Sequence, residues 1–386
     1  MATIKLETRP VAAAAPPPRF RGLDPVLIGV VLALTVVGMF MIYSATNKSL
    51  VALGLDPYQF VNKQLVALGV AGLAMLVAAS FDYRRTRIYV GFFYLAMVVA
   101  LLLVRTPLGQ ATRGSQRGFY LGEFQFTPSE LMKIALIVTV AAYLASIRGG
   151  ITIRDVARAT ALAVVPMALV FLQPDIGTTI VLATILVAIV VVAGARTWHL
   201  AFLAATAALL LVGAFQVGLV KEYQIARLQG FLDPANDVQA ANYNRLQSVI
   251  AHGNGGFWGT GYLQGPQTNL DFVPEQHTDF IFTVVGEEFG FVGAVTLLLL
   301  FAVLLWRAFR IATLARDRFG TYIAVGIAVM IAIQMFVNVG MTLGIMPITG
   351  IPLPFVSYGG SSLVANYLAV GLLLNVYRRR SAGPPT

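Results

Sequence analysis

Long blocks of apolar residues recur along this chain, and they limit its fold more than any other feature of the sequence. Each block approaches the roughly 20 residues that an α-helix needs to cross the hydrocarbon core of a bilayer. Only 11% of the 386 residues are charged, whereas a soluble domain has roughly 25%. The block lengths and the shortage of charge together predict an all-α, polytopic membrane protein with about ten transmembrane helices.

Ten blocks are predicted to span the membrane within a transmembrane domain of residues 24–378. The predicted spans are residues 25–43, 64–81, 88–104, 128–146, 157–172, 178–194, 198–220, 280–306, 321–341 and 363–377. The fifth and sixth are short and close together, with Pro166 inside the fifth, so they form either a tight hairpin or a re-entrant pair. Residues 1–23 are rich in Ala and Pro and are predicted to be a disordered tail, and residues 379–386 form a second tail.

The Lys and Arg residues are distributed unevenly between the two sides of the predicted bundle. With the N-terminus on the inner side, most of the 27 Lys and Arg residues fall in inner segments, and cytoplasmic loops are enriched in these residues. Both termini are therefore predicted to be cytoplasmic. The large loop of residues 221–278 is then extracellular, and because it contains aromatic residues and glycines, we expect it to be ordered and functional.

The sequence also excludes several classes of site. It contains no cysteine, which rules out disulfides, iron–sulfur clusters and cysteine-based zinc sites, and its three histidines show no metal-ligand spacing. The net charge of +10 is explained by the basic inner segments, and no basic run is interleaved with aromatics, so we expect no nucleic-acid binding. Residues 253–261 are glycine-rich but follow no predicted strand, so no dinucleotide site is expected there.

An aspartate lies where the large loop enters the eighth predicted span. One interpretation is structural, because Thr278 is a good helix N-cap residue and the helix dipole favours an acid such as Asp279 at this end. The other is functional. Asp279 is then a carboxylate at the membrane–water boundary, acting on a substrate that is lipid at one end and polar at the other.

Further charged residues fall inside predicted spans, where burying a charge is costly and a functional role is expected. Glu130 and Lys133 are three residues apart, so they share a helix face and can pair; the structural alternative is a neutralised ion pair. Glu287 and Glu288 lie about two turns deeper than Asp279 and also need partners or water.

Residues 344–362 have a broken backbone near the outer side. Pro347, Pro352 and Pro354 interrupt any helix, and the run from Gly359 to Ser362 offers backbone N–H groups and hydroxyls. Irregular backbone near a membrane is tolerated only where it is packed in protein or lines a wet cavity. We therefore expect this segment to form the floor of an outer cavity.

These segments resemble the SEDS family of bacterial cell-wall polymerases (RodA, FtsW and the sporulation relatives), from the first span to the last. The matching segments are residues 128–133 (PSELMK), 173–178 (QPDIGT), 247–248 with the following glycines, 274–282 (PEQHTDFIF), 286–290 (GEEFG) and 347–362. The chain is more similar to RodA than to FtsW at residues 255–256 and 350–354. One difference is Arg117-Gly118, where the family commonly has Arg-Trp, so a stacking role for the tryptophan does not carry over.

The resemblance implies an enzyme of the bacterial cytoplasmic membrane that polymerises lipid II into glycan strands at the outer face, for cell elongation and shape. It also implies a class B penicillin-binding protein as the crosslinking partner, together with other cell-wall elongation proteins. Asp279 matches the family's essential aspartate and is our candidate general base. The candidate substrate-binding residues are Arg117, Glu130, Lys133, Arg227, Arg245, Gln247, Ser248, Glu275, His277, Thr278, Ser357, Tyr358, Ser361 and Ser362.

The expected reaction sets the charges that the site needs. Asp279 takes the proton of an acceptor sugar hydroxyl as it attacks the anomeric carbon, and with one carboxylate and direct displacement we expect inversion there. The leaving lipid pyrophosphate needs positive charge, from basic residues (Arg117, Lys133, Arg227 or Arg245) or from a divalent cation, Mg²⁺ or Mn²⁺. Two alternatives remain open, a lipid II flippase and a non-catalytic scaffold for the penicillin-binding protein.

Overall fold

The structure is a computed structural model that describes residues 22–107, 109–112, 115–121, 124–220, 224–225, 231 and 240–380. Within these residues the chain is a bundle of long apolar helices joined by short connections. The helices are α1 Pro25–Ala52, α2 Gln59–Ser80, α3 Tyr83–Thr86, α4 Val90–Val104, α5 Pro128–Ser146, α6 Ile153–Leu172, α7 Ile176–Val192, α8 Thr197–Gln216, α9 Ala240–Gly255, α10 Pro266–Asn269, α11 Ile281–Leu314, α12 Arg318–Thr342 and α13 Gly360–Arg378.

The all-α polytopic fold is confirmed, because each of the ten predicted spans coincides with an apolar helix. Eight of the described helices are long and apolar enough to cross a membrane, and α4 and α7 are shorter apolar helices of 15 and 17 residues. Several helices are longer than predicted; α1, for example, continues past residue 43 to Ala52. The fifth and sixth spans are separate helices, α6 and α7, that pack on each other, which favours a hairpin over a re-entrant pair.

Three helices form the interior of the bundle. Helices α5, α12 and α13 are mostly buried, whereas α2 and α8 mostly face outward. Helix α13 packs on α2, and α12 contacts α5, α7 and α11. A Cβ atom on Gly22 would lie 3.7 Å from Cγ of Arg378, so the two described ends of the chain meet at the same end of the bundle. The first residues of α13 therefore lie at the opposite end.

A small antiparallel sheet that the sequence did not predict lies between α4 and α5. Its strands, in spatial order, are β1 Gln110–Thr112, β2 Ser115–Leu121 and β3 Phe124–Phe126. The hydroxyl of Ser361 donates to the backbone oxygen of Gln125 at 2.7 Å and accepts from the backbone N–H of Thr127 at 3.0 Å. These two bonds attach the sheet to the first turn of α13.

Helix α11 is interrupted at Gly290, whose φ of 62° and ψ of −158° are not helical. The glycine-rich segment after α9 packs against this interruption. The backbone N–H of Thr260 donates to the carbonyl oxygen of Glu287, and that of Gly261 donates to the carbonyl oxygen of Glu288, both at 3.0 Å. A Cβ on Gly259 would lie 2.1 Å from the Glu288 carbonyl oxygen. The glycines of this segment are therefore needed for close backbone packing.

Candidate functional site

A polar cavity of about 660 Å³ opens at the end of the bundle opposite the two described chain ends. It is enclosed by the first turns of α2, α5, α7 and α13, by the small sheet, and by the segment that precedes α11. Most of the predicted site residues line it. They are Arg117, Glu130, Glu275, His277, Thr278, Asp279, Tyr358, Ser361 and Ser362.

Asp279 lies two residues before α11 begins, and two neighbouring segments fix its position. The side-chain amide of Asn338 donates to the backbone oxygens of Asp279 and Ile351, each at 2.7 Å. A Cβ on Gly350 would lie 3.2 Å from Oδ2 of Asp279. The φ of Gly350 is +73°, a left-handed conformation that L side chains disfavour. The Asp279 carboxylate therefore lies directly against the bare backbone of Gly350, at the wall of the cavity.

The helix-capping interpretation of Thr278 is wrong. The N-cap position of α11 is Phe280, which makes no side-chain cap. The hydroxyl of Thr278 instead donates to the backbone oxygen of Glu275 at 3.1 Å and to its Oε2 at 3.2 Å. Because a short turn separates these residues from the helix, Thr278 and Glu275 both line the cavity.

Three rings form a cluster on one wall of the cavity. The Phe60 ring lies 4.7 Å from that of His277 and 5.1 Å from that of Tyr358, measured between centroids. The backbone N–H of Tyr358 donates to the His277 carbonyl at 2.9 Å. Gln64 joins α2 to the same region, because its amide donates to the Ser357 carbonyl at 3.3 Å and accepts from the Gly359 N–H at 3.2 Å. The broken segment after α12 is thus held in a defined shape at the cavity.

The charged side chains of the cavity come from α2, β2, α5, the start of α7 and the segment before α11. Arg117 in β2 donates to the Pro174 carbonyl at 2.7 Å, which places its guanidinium beside the start of α7. Asp175 caps that helix by accepting from the Thr178 N–H and hydroxyl, both at 2.9 Å. Lys63 of α2 also lines the cavity. Basic and acidic groups therefore line the same space.

Lys133 and Glu130 form the buried ion pair that their spacing predicted, with 2.7 Å between Nζ and Oε2. Glu130 lines the cavity, but Lys133 is only 2% exposed and does not. Lys133 lies one turn deeper in α5, so its ammonium reaches back to the carboxylate. Its position supports a role in holding Glu130 and its charge, and does not support direct contact with a phosphate.

Several other predicted residues lie away from the cavity. Ser248 is fully buried and joins helices, because its Oγ is 2.6 Å from Oγ1 of Thr283 and donates to the Thr342 carbonyl at 2.7 Å. Ser357 uses its hydroxyl to accept from the Leu353 N–H at 2.8 Å within its own turn. Arg245 and Gln247 belong to α9 and do not line the cavity. Arg227 lies outside the described residues.

The cavity also contains residues that the sequence analysis did not assign to the site. Asp175 and Thr178 belong to the matching segment of residues 173–178, so the family motif was a signal that could have identified them. Lys63 could have been identified as a basic residue at the outer edge of an apolar block. Asn338 holds the backbone of Asp279 from outside the cavity, and it was not assigned because an amide within a span can also pair with backbone for structural reasons alone.

Among the described residues, the acidic side chains of the cavity do not form a preformed metal site of three ligands. Within the described ranges, no group of three or more His, Asp or Glu side chains is close enough to hold an ion. Glu130 is bound to Lys133, and Asp175 caps α7. Mg²⁺ is usually held by only one or two carboxylates together with water and substrate phosphates, so basic side chains and a divalent cation that arrives with the substrate both stay predicted sources of positive charge.

Comparisons with known proteins agree on one family. The model of the FtsW, RodA and SpoVE family, described as "Cell cycle protein", matches residues 25–382. The chain is 39% identical to stage V sporulation protein E of Bacillus subtilis, covering 92% of this chain and 97% of that protein. It is 33% identical to the peptidoglycan glycosyltransferase MrdB of Escherichia coli, covering 93% and 94%.

A solved structure has the same fold. It is the structure of a peptidoglycan synthase complex, which is described as coordinating polymerization and crosslinking. The chain of that complex that matches is 31% identical to this chain and superposes with a TM-score of 0.76. The match covers 94% of this chain and 99% of that one. The similarity therefore extends over the whole bundle and includes every segment that lines the cavity.

Proposed function

The chain belongs to the FtsW, RodA and SpoVE family, and on this premise we propose that it is a peptidoglycan glycosyltransferase that polymerises lipid II into glycan strands. The named activity of the Escherichia coli relative supports this reaction. The observation that carries the proposal is the placement of Asp279, whose carboxylate lines a polar cavity at one end of an apolar bundle. A substrate with a lipid tail and a sugar headgroup has the two surfaces that such a site requires.

Asp279 is proposed as the general base. A carboxylate within hydrogen-bond reach can take the proton of the acceptor hydroxyl as its oxygen attacks the anomeric carbon of the donor. The Asn338 amide holds the backbone of Asp279, and the bare backbone of Gly350 leaves room for the carboxylate, so the catalytic group is positioned before substrate arrives, which is a large source of rate. The C–O bond to the pyrophosphate breaks as the new glycosidic bond forms, which inverts the configuration at that carbon.

The leaving pyrophosphate departs as an anion, so the site must supply positive charge rather than a proton. Arg117 is the best placed of the predicted basic residues, because it lines the same cavity as Asp279. Lys63 lines it from α2 and is a second candidate. Fixed cationic groups at the point where negative charge develops are a large source of transition-state stabilisation.

The proposed location and partner follow from the fold and the relatives. Both described chain ends lie at one end of the bundle, opposite the cavity. Together with the excess of Lys and Arg in the predicted inner segments, this supports cytoplasmic termini and a reaction at the outer face of the bacterial cytoplasmic membrane. The solved complex that coordinates polymerization with crosslinking supports a crosslinking partner, which we propose is a class B penicillin-binding protein. A role with other proteins of cell elongation is the narrower proposal, since the relatives also include a sporulation protein.

Polymerisation of purified lipid II by the protein in complex with its penicillin-binding partner tests the proposal. We expect wild type to make glycan and Asp279→Asn to make none, since the amide cannot accept the proton. Asp271→Asn is the matched control, because it removes one charge from the same loop. Asp271 has a φ of 55°, and Asn tolerates this conformation.

The outcomes separate the alternatives. Equal glycan from wild type and Asp279→Asn would remove Asp279 from the mechanism. No glycan from a well-assembled wild-type complex, together with lipid II transfer across vesicles, would replace the proposal with a flippase. Normal growth of cells with Asp279→Asn and an intact complex would support a non-catalytic scaffold.

A further inference from the structure

A second cavity lies near the opposite end of the bundle, between α2 and α4. It is an apolar cleft of about 660 Å³. Its wall includes Val77 of α2 and Phe93 of α4, and its floor is formed by α5 and α13, for example by Ile134 and Leu372. From the cavity residue Gln64 to Val77 the rise along α2 is about 20 Å, at 1.5 Å per residue. The cleft is therefore separate from the site that contains Asp279.

The cleft is open because two consecutive helices diverge. Helix α2 packs on α13, and α4 packs on α5. In contrast, α2 and α4 make no extensive contact with each other. The short helix α3 connects them and lets their ends separate. Val77 is 46% exposed and nearby Phe81 is 66% exposed, so the opening faces the surroundings of the bundle. In a membrane those surroundings are lipid chains, which are the apolar material available to fill it.

The mouth of the cleft is positively charged. Arg379 pairs with Asp82 at 3.0 Å, which neutralises the only acidic side chain that lines the cleft within the described residues. Arg85 also lines the mouth and is exposed. The adjacent Arg84 is bound to Asp317 at 3.0 Å. One positive charge at the mouth, that of Arg85, is therefore left in excess above an apolar cleft.

We propose that this cleft binds an anionic phospholipid of the cytoplasmic leaflet. One acyl chain lies between α2 and α4, and the phosphate lies at Arg85. Basic pockets between transmembrane helices on the cytoplasmic side are suited to such headgroups. Tyr89 lines the same mouth and is 68% exposed, and tyrosines at this depth sit at the headgroup level. The leaflet follows from the proposed orientation, and the binding does not depend on the proposed enzymatic activity.

Native mass spectrometry of the full chain released from nanodiscs tests this inference. The nanodiscs contain equal amounts of phosphatidylglycerol and phosphatidylcholine, and the retained lipid is identified for each variant. We expect wild type to retain phosphatidylglycerol in preference to phosphatidylcholine. Arg85→Gln should lower this preference about fivefold, which corresponds to the ~1 kcal/mol of one basic residue at an anionic surface.

Two further variants make the result specific. Arg154→Gln removes an exposed arginine from the first turn of α6, at the same end of the bundle but outside the cleft, and should leave the preference unchanged. Val77→Trp fills the cleft from its exposed wall and should lower retention of both lipids. Equal effects of Arg85→Gln and Arg154→Gln would reduce the inference to general surface charge. Unchanged retention in Val77→Trp, or no preference in wild type, would overturn it.

Discussion

Adding one methyl group at Gly350 tests the position of Asp279 without changing the chemistry of its carboxylate. In Gly350→Ala the new Cβ lies 3.2 Å from Oδ2 of Asp279, in a residue whose φ is +73°. A contact this short requires the carboxylate to move by a few tenths of an ångström. A left-handed conformation costs an L residue roughly 1–2 kcal/mol, which lowers the free energy of unfolding but leaves a bundle of this size folded.

Gly344→Ala is a matched control for that strain. Gly344 has a φ of +75°, and its Cβ would also meet its nearest atom at 3.2 Å, but that atom is Cγ2 of Val249. We therefore expect both variants to lose a similar 1–2 kcal/mol of stability, read as a similar fall in Tm. Misplacing a catalytic group by about 1 Å can cost about 100-fold in rate. For the smaller shift at Asp279 we expect a loss of about tenfold or more.

The assay is the initial rate of glycan formation from lipid II by the complex, measured beside Tm for each variant. Gly350→Ala should lose activity, while Gly344→Ala should stay within about twofold of wild type. Equal losses in the two variants would mean that backbone strain, and not the carboxylate, controls the rate. A fully active Gly350→Ala would contradict the placement of Asp279 in the reaction.

Three further predictions concern the residues that hold the site. Asn338→Ala leaves the backbone carbonyls of Asp279 and Ile351 without their donor. This should lower the free energy of unfolding by about 2–4 kcal/mol, seen as a lower Tm and a lower rate of glycan formation. An unchanged Tm would contradict the prediction. Glu287→Gln weakens the charge-assisted bonds that Glu287 accepts from Gln267 and Thr268 in the loop before α11 and should make residues 255–280 more sensitive to protease, with unaltered cleavage as the opposing result. Burial lowers the pKa of His252 from its usual 6.5, so the folded protein disfavours the protonated ring. The contribution of the neutral ring to the free energy of unfolding is therefore complete above pH 6.5 and is lost as pH falls, by at most about 1.4 kcal/mol per pH unit. His252→Phe should therefore flatten the acidic part of a Tm–pH profile relative to wild type. The charge of nearby Glu287 works in the opposite direction by raising the His252 pKa. Identical profiles for the variant and wild type would refute the prediction.

The positions of the ten long helices could be predicted from the sequence because membrane spans follow from composition over about 20 residues. Their ends could not, since helices such as α1 and α11 extend beyond the apolar block. The three strands before α5 also gave no signal. They are short and include Gly118, and they are held in place by Ser361 of α13, which is a tertiary contact.

Charged residues of the site could be predicted from the sequence because they stand out in an apolar chain. Uncharged polar residues were harder to assign, because many of them serve only helix packing. Glu130 was identified because charged groups are costly near lipid, Asp279 because it lies where the large loop enters a span, and Arg117 through the family resemblance. Asn338, 59 residues from Asp279, could not be assigned, because amides within spans also pair with backbone for purely structural reasons. Ser248 and Ser357 show the converse, since they lie in matching segments but their hydroxyls bond to neighbouring helices and turns.

The two adjacent acids in α11 explain how the segment with Asp279 is held. Glu287 accepts from the N–H groups of Gln267 and Thr268, at 2.7 and 2.9 Å, and from the Thr268 hydroxyl at 2.6 Å. The amide of Gln276 then donates to the Thr268 carbonyl at 2.9 Å and to the Ala45 carbonyl at 3.0 Å. The sequence indicated that Glu287 and its neighbour needed partners, and the loop that precedes α11 supplies those of Glu287.

This arrangement fixes both ends of one segment on the same helix. Asp279 is joined covalently to the first turn of α11, and three residues earlier Gln276 is tied through Thr268 to Glu287, deeper in that helix. Glu288 accepts from the Leu263 N–H at 3.1 Å and from the Ser44 hydroxyl, so α1 is joined as well. A loop held at both ends loses little further entropy when substrate binds. We therefore expect the buried acids to act on the site by holding the segment that carries Asp279, although they lie outside the cavity.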